Sequence, residues 1–135
     1  MTDKIEIKTD PDGTKYWYQN AQLHRTDGPA IEKSDGTKYW YQNAQLHRID
    51  GPAIEKSDGT KYWYQNGKDG QLHRTDGPAV EYLDGTQVWY QNDQLHRTDG
   101  PAVEESDGTK EYWINGKQLT QFEIWTLFKM MSNGN

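Results

Sequence analysis

Polar and apolar positions alternate along the chain in short segments and never form a long hydrophobic run. Stretches such as Thr37-Lys38-Tyr39-Trp40-Tyr41-Gln42 are rich in strand-forming residues and are bounded by Asp-Gly, Asn-Ala or Gly-Pro pairs. That is the signature of strands punctuated by tight turns. The Asp-Gly pairs fall at Asp12, Asp35, Asp58, Asp84 and Asp107, with spacings of 23, 23, 26 and 23 residues, so the chain is a tandem array with a 23-residue unit. The one long spacing is a three-residue insertion around Gly67-Lys68-Asp69-Gly70, which belongs on a loop. Four apolar columns recur: Trp17, Trp40, Trp63, Trp89; Tyr18, Tyr41, Tyr64, Tyr90; Leu23, Leu46, Leu72, Leu95; and Ile31, Ile54, Val80, Val103.

Asp35-Gly36 between two strand-like segments reads as a two-residue hairpin turn, because both residues tolerate the positive φ that such a turn needs. In that register Ser34 faces Thr37, Glu32 faces Tyr39, Ile31 faces Trp40 and Ala30 faces Tyr41. Ile31 and Trp40 then form the core rung, and Lys33 stands opposite Lys38 at a small like-charge cost. Asn20-Ala21, Asn43-Ala44, Asn66-Gly67, Asn92-Asp93 and Asn115-Gly116 mark a second turn in each unit. Pro29, Pro52, Pro78 and Pro101 lack an N–H, which places the Asp-Gly-Pro corners at strand starts or edges. The expected fold is all-β, an antiparallel β-meander of tandem hairpin repeats with a short C-terminal α-helix.

The two ends depart from the repeat. Ile5-Glu6-Ile7-Lys8 is expected to take the place of an Ala-Ile-Glu-Lys strand and complete the first hairpin as a half-repeat. Thr120-Gln121-Phe122-Glu123 matches a helix capping box, and Phe122, Ile124, Trp125, Leu127, Phe128 and Met131 follow at helical spacing, predicting a helix over residues 121–131. The array thus covers residues 1–119 and a capping or interaction helix covers residues 120–135.

Composition makes the core aromatic. Leu, Ile, Val and Phe supply only 19 of 135 residues, but there are six Trp and nine Tyr, each burying roughly 150–250 Å². The Trp columns are the expected core. The absence of Cys removes disulfides and thiolate chemistry, and no apolar run approaches the length of a membrane span. A net charge of −6, with acids and bases interleaved, gives no basic nucleic-acid footprint. The expected setting is the cytoplasm.

Four His-Arg-x-Asp-Gly-Pro-Ala corners could be mistaken for catalytic groups. Catalysis needs one constellation unlike the others, and repetition makes no copy special, so no catalytic residue is expected. His24, His47, His73 and His96 should stand too far apart to share a metal; their structural role, with the arginines, is to hydrogen-bond neighbouring carbonyls or Asp27-type carboxylates at the corner. No cofactor is expected. The candidate binding surface is an exposed ladder of Tyr18, Tyr41, Tyr64 and Tyr90 with Arg25, Arg48, Arg74 and Arg97, since Tyr, Trp and Arg are enriched at interfaces. Trp125 and Phe128 on the helix form a second candidate, with a homodimer through the helix as one arrangement.

The run from Tyr16 to Ala30, Tyr-Trp-Tyr-Gln-Asn-Ala-Gln-Leu-His-Arg-Thr-Asp-Gly-Pro-Ala, resembles the MORN-like repeats of bacterial and phage proteins, and recurs at residues 39–53, 62–79 and 89–102. Arg25, Arg48, Arg74 and Arg97 stand where the ordinary MORN unit has the first glycine of Gly-x-Gly, which marks a variant class and weakens any transfer of lipid binding. The resemblance implies an elongated β-meander acting in protein association or scaffolding, and in phage-like members interference with a host defence protein. It also implies that the cytoplasm in question is that of a bacterial or phage-infected host cell. The expected function is therefore non-enzymatic protein binding. The alternative is sequestration of a small ligand or nucleotide, its phosphates held by the four arginines beside stacked aromatics.

Overall fold

The computed structural model describes residues 2–65 and 70–133; the insertion at residues 66–69 lies outside them. Seventeen strands are assigned among these residues, all antiparallel, followed by one helix, Gln121–Asn133. Ten strands form a single meander in the order Ile5–Thr9, Lys15–Gln19, Ile31–Glu32, Lys38–Tyr39, Ile54–Glu55, Lys61–Tyr62, Val80–Glu81, Gln87–Val88, Val103–Glu104 and Lys110–Glu111. Each unit contributes one hairpin to this ladder.

The strand hands over its partners at the tryptophan. Up to Tyr39 it pairs with the Ile strands; Trp40 N–H donates to Ala53 O at 2.8 Å while His47 N–H donates to Trp40 O at 2.9 Å. Beyond it, Tyr41–Gln42 pairs with Gln45–Leu46 in a second, smaller hairpin. These small hairpins are also joined to one another, as Ala44 N–H donates to Leu23 O and Gly116 N–H to Leu95 O, each at 2.9 Å. Two ladders therefore run along the molecule, meeting at the Trp column.

The turn chemistry is the reverse of the sequence expectation. The two-residue loop with positive φ at both positions is Asn-Ala, with Asn43 at 51° and Ala44 at 63°. The Asp-Gly loop has three residues: Lys33 N–H donates to Thr37 O at 2.8 Å, Gly36 N–H donates to Lys33 O at 3.0 Å, and only Gly36, at φ 95°, is left-handed. This is a turn closed by a glycine bulge. The extra loop residue slips the register by one, so Ile31 pairs with Tyr39 and Glu32 with Lys38.

A one-residue slip changes which side chains meet. Ile31 now lies between Tyr16 and Tyr39, and Ile54 between Tyr39 and Tyr62. The expected Lys33–Lys38 repulsion disappears, replaced by a row in which Lys15, Glu32, Lys38, Glu55, Lys61 and Glu81 alternate in sign across successive strands. The buried apolar residues are Ala30, Leu46, Ala53, Ile54, Ala79, Val80, Val88 and Ala102, and Tyr39, Tyr41, Tyr62 and Tyr64 pack against the Leu46–Ala53–Ile54 cluster. Trp17, Trp40, Trp63 and Trp89 are half-buried and outside this core, which corrects the expectation that they form it.

Threonines, buried at Thr14 and Thr37 and half-buried at Thr86, stitch the hairpin tips together. Thr37 N–H donates to Asp35 Oδ1 at 2.9 Å, and Thr37 Oγ1 accepts from Ser57 N–H of the next unit at 3.1 Å. Thr14 and Thr86 repeat the link to Ser34 and Ser106.

At the N-terminus Ile5–Thr9 completes the first hairpin, with Ile7 opposite Trp17 and Lys8 opposite Tyr16. Lys8 thus takes the place of Ile31, two residues further along than the sequence alignment implied. At the other end the capping box forms as expected: Glu123 N–H donates to Thr120 Oγ1 at 3.2 Å, and Thr120 N–H to Glu123 Oε1 at 2.9 Å. Phe128 meets Tyr112 edge-on, with ring centroids 5.5 Å apart, seating the helix on the last hairpin.

Candidate interaction surfaces: the arginine corners and the C-terminal helix

Each His-Arg-x-Asp-Gly-Pro segment folds into a self-contained corner around its arginine. Arg74 Nε donates to Asp76 Oδ1 at 2.8 Å, and one terminal nitrogen donates to Pro78 O at 3.1 Å and to Glu81 Oε2 at 2.9 Å. The guanidinium carbon lies 3.9 Å from the centre of the Trp63 ring. Its other face rests against Gly77, where an added Cβ would come within 2.8 Å of that carbon. The spacing of the motif follows from this geometry: Asp two residues on takes Nε, Gly three on makes room, and the Pro carbonyl four on takes a terminal N–H. Arg25, Arg48 and Arg97 repeat the arrangement over Trp17, Trp40 and Trp89 at 3.8–4.0 Å.

The corner fixes charge states as well as shape. The Arg25 guanidinium, by hydrogen bond and then by charge, holds the Asp27 carboxyl below its ordinary range, and Arg74 does the same to Asp76. At the hairpin tips Asp12, Asp35, Asp58, Asp84 and Asp107 are lowered chiefly by the backbone N–H of the threonine two residues on. The histidines join neighbouring units: the Nδ1 atoms of His24, His73 and His96 accept from Asn43, Asn92 and Asn115 N–H, each at 3.0 Å. Among the described residues no group of three His, Cys, Asp or Glu is placed to hold a metal.

The tyrosine and arginine columns of the candidate ladder touch through the backbone, Arg25 N–H donating to Tyr41 O and Arg74 N–H to Tyr90 O, but their side chains have different surroundings. Tyr41 and Tyr64 pack on the apolar cluster, whereas the arginine side chains, only 21–22% exposed, lie over the tryptophans in ion pairs. Tyr18 and Tyr90 are likewise half-buried. Between successive corners run open grooves; one of about 610 Å³ is bordered by Arg48, Ile49, Trp63, His73 and Arg74. The sequence reading missed two partners of the corner, the stacked Trp and the Glu seven residues after the Arg. Their signal was present, since Glu32, Glu55, Glu81 and Glu104 recur in every unit.

On the helix, Ile124 and Leu127 are half-buried while Phe122 is 74%, Trp125 56% and Phe128 45% exposed. Phe122, Trp125 and Lys129 share one stripe at i, i+3 and i+7; the Phe122 and Trp125 rings are 6.2 Å apart, and Lys129 Nζ lies 4.9 Å from the Trp125 ring centre. The side chain of Met131 lies outside the described residues. No protein-family model matches the chain, and no curated protein matches it.

Proposed function

We propose that this protein is a non-enzymatic binding module, in which the repeat array is a rigid support and the C-terminal helix contacts a protein partner. The observation that carries this reading is the outward stripe of Phe122 and Trp125, bordered by Phe128, which also seats the helix against Tyr112. Large aromatic side chains left in water on a helix seated by its opposite face are the usual anchors of a protein contact. Repetition of one corner four times favours a structural role for His24, Arg25 and their equivalents over catalysis. The nucleotide alternative loses its main support, because the guanidinium groups it needs already hold carboxylates and carbonyls within the chain. The resemblance to MORN-like repeats of phage proteins makes a bacterial defence protein the partner class to screen first.

The test is affinity capture from bacterial lysate with wild type, Phe122→Ala and Trp125→Ala, alongside thermal shift with a nucleotide panel. The expected result is a partner held by wild type and lost from both variants, each retaining the wild-type melting temperature. Equal capture by all three, or a specific nucleotide shift with no protein partner, would reject the proposal.

A further inference from the structure

The two ends of the long sheet are finished differently. The last hairpin carries the helix through Tyr112 and Phe128, whereas strand Ile5–Thr9, among the described residues, has a neighbour on one side only. Asp10 N–H donates to Thr14 O and Asn20 N–H to Lys4 O, each at 2.8 Å. In an antiparallel ladder the inward-bonding residues alternate, so Lys4, Glu6, Lys8 and Asp10 bond inward. The N–H and C=O groups of Ile5, Ile7 and Thr9 point outward. The side chains of Ile5 and Ile7 are 68% and 58% exposed and border the groove of Trp17 and Arg25. An unpaired strand edge with exposed apolar side chains can accept another strand.

We propose that this edge binds the same edge of a second copy, in an antiparallel pair with its two-fold axis at Ile7. The strand sets the most opposite charges against each other in that register: a two-fold at Ile5 gives only the Lys4–Glu6 pair and one at Thr9 only the Lys8–Asp10 pair, each twice. Pairing Ile7 with Ile7 of the second copy, and Ile5 with Thr9, uses the outward-pointing backbone groups. It sets Glu6 opposite Lys8 and Lys4 opposite Asp10, each twice by symmetry. The neighbouring registers allowed by the backbone are centred on Glu6 or Lys8. The first opposes Glu6 to Glu6 and Lys4 to Lys8; the second opposes Lys8 to Lys8 and Glu6 to Asp10. Like charges directly opposite are destabilising, so the sequence selects the Ile7-centred dimer. Within one chain Lys4 Nζ reaches Glu6 Oε1 at 3.1 Å and Lys8 Nζ lies 5.1 Å from the Tyr18 ring centre; both are exposed contacts that can exchange for partners across the axis. The interface closes as an isologous pair and joins the two meanders into one sheet. Its small area gives a dimer of roughly micromolar or weaker affinity.

Sedimentation equilibrium of the full chain from about 1 µM to about 1 mM tests this. The expected mass rises from 15.7 kDa toward twice that value. Glu6→Lys weakens the dimer by about tenfold or more, because two attractive pairs become repulsive, and Glu6→Lys with Lys8→Glu restores it by exchanging the signs. Ile7→Pro abolishes it at an unchanged melting temperature, since the lost N–H points outward. A wild type that stays monomeric throughout overturns the proposal. So does a dimer indifferent to Glu6→Lys, or one that the double exchange fails to restore in a folded chain.

Discussion

At the scale of single residues, the repeat is explained by what each position must accommodate. Gly77 is required by the guanidinium of Arg74 rather than by backbone conformation, so Gly77→Ala displaces the arginine from Trp63. The expected loss is roughly 1–3 kcal/mol, from the stacking and charged hydrogen bonds together, measured by urea unfolding. Ala44 is the opposite case: its φ of 63° is strained for any residue with a Cβ. Ala44→Gly should stabilise by about 0.5–1 kcal/mol, the relief outweighing the added freedom of the unfolded chain; an unchanged or lower midpoint would contradict that. The lowered aspartates set the pH dependence. A carboxyl held below its unfolded value stabilises the fold above that value, about 3.9, and the contribution is lost as pH falls through the lower folded value. With Asp12, Asp27, Asp35, Asp58, Asp76, Asp84 and Asp107 all shifted down, melting temperature should hold from neutral to about pH 5 and fall steadily below pH 4.

At the scale of elements, the capping box was fully legible, because Thr120 and Glu123 satisfy each other within four residues and need no tertiary information. Thr120→Ala should cost about 1 kcal/mol, seen as fraying of the helix by circular dichroism. The existence and order of the hairpins were legible for the same local reason. The register was not, because Asp-Gly fits both a two-residue loop and the last two positions of a three-residue loop, and the choice depends on pairing across strands. The like charges at Lys33 and Lys38 were the available warning: moving the pairing by one residue turns that repulsion into Glu32–Lys38 and Glu55–Lys61. The assignment of Trp17, Trp40, Trp63 and Trp89 to the core failed with the register. The partner of each indole, an arginine from the next corner, could be found only once the strand was seen to change partners at the Trp. The Tyr18 and Arg25 equivalents of the candidate ladder came to have side chains in different surroundings for that same reason.

At the scale of the whole molecule, four near-identical corners line one continuous sheet, and the chain departs from the repeat at the insertion around residues 67–70 and at its two ends. The central claim is that the arginine column holds the fold while the aromatic stripe of the helix is free to bind. A side-by-side thermal melt of Arg74→Lys and Trp125→Ala tests it most directly. Lysine keeps the charge but lacks the planar fork that stacks and bonds at once. Arg74→Lys is therefore expected to lower the melting temperature by about 3 °C or more. Trp125→Ala is expected to leave it within the effect of an ordinary surface change, about 0.5 kcal/mol. An Arg74→Lys protein that melts like wild type, or a Trp125→Ala protein that melts well below it, would contradict the account.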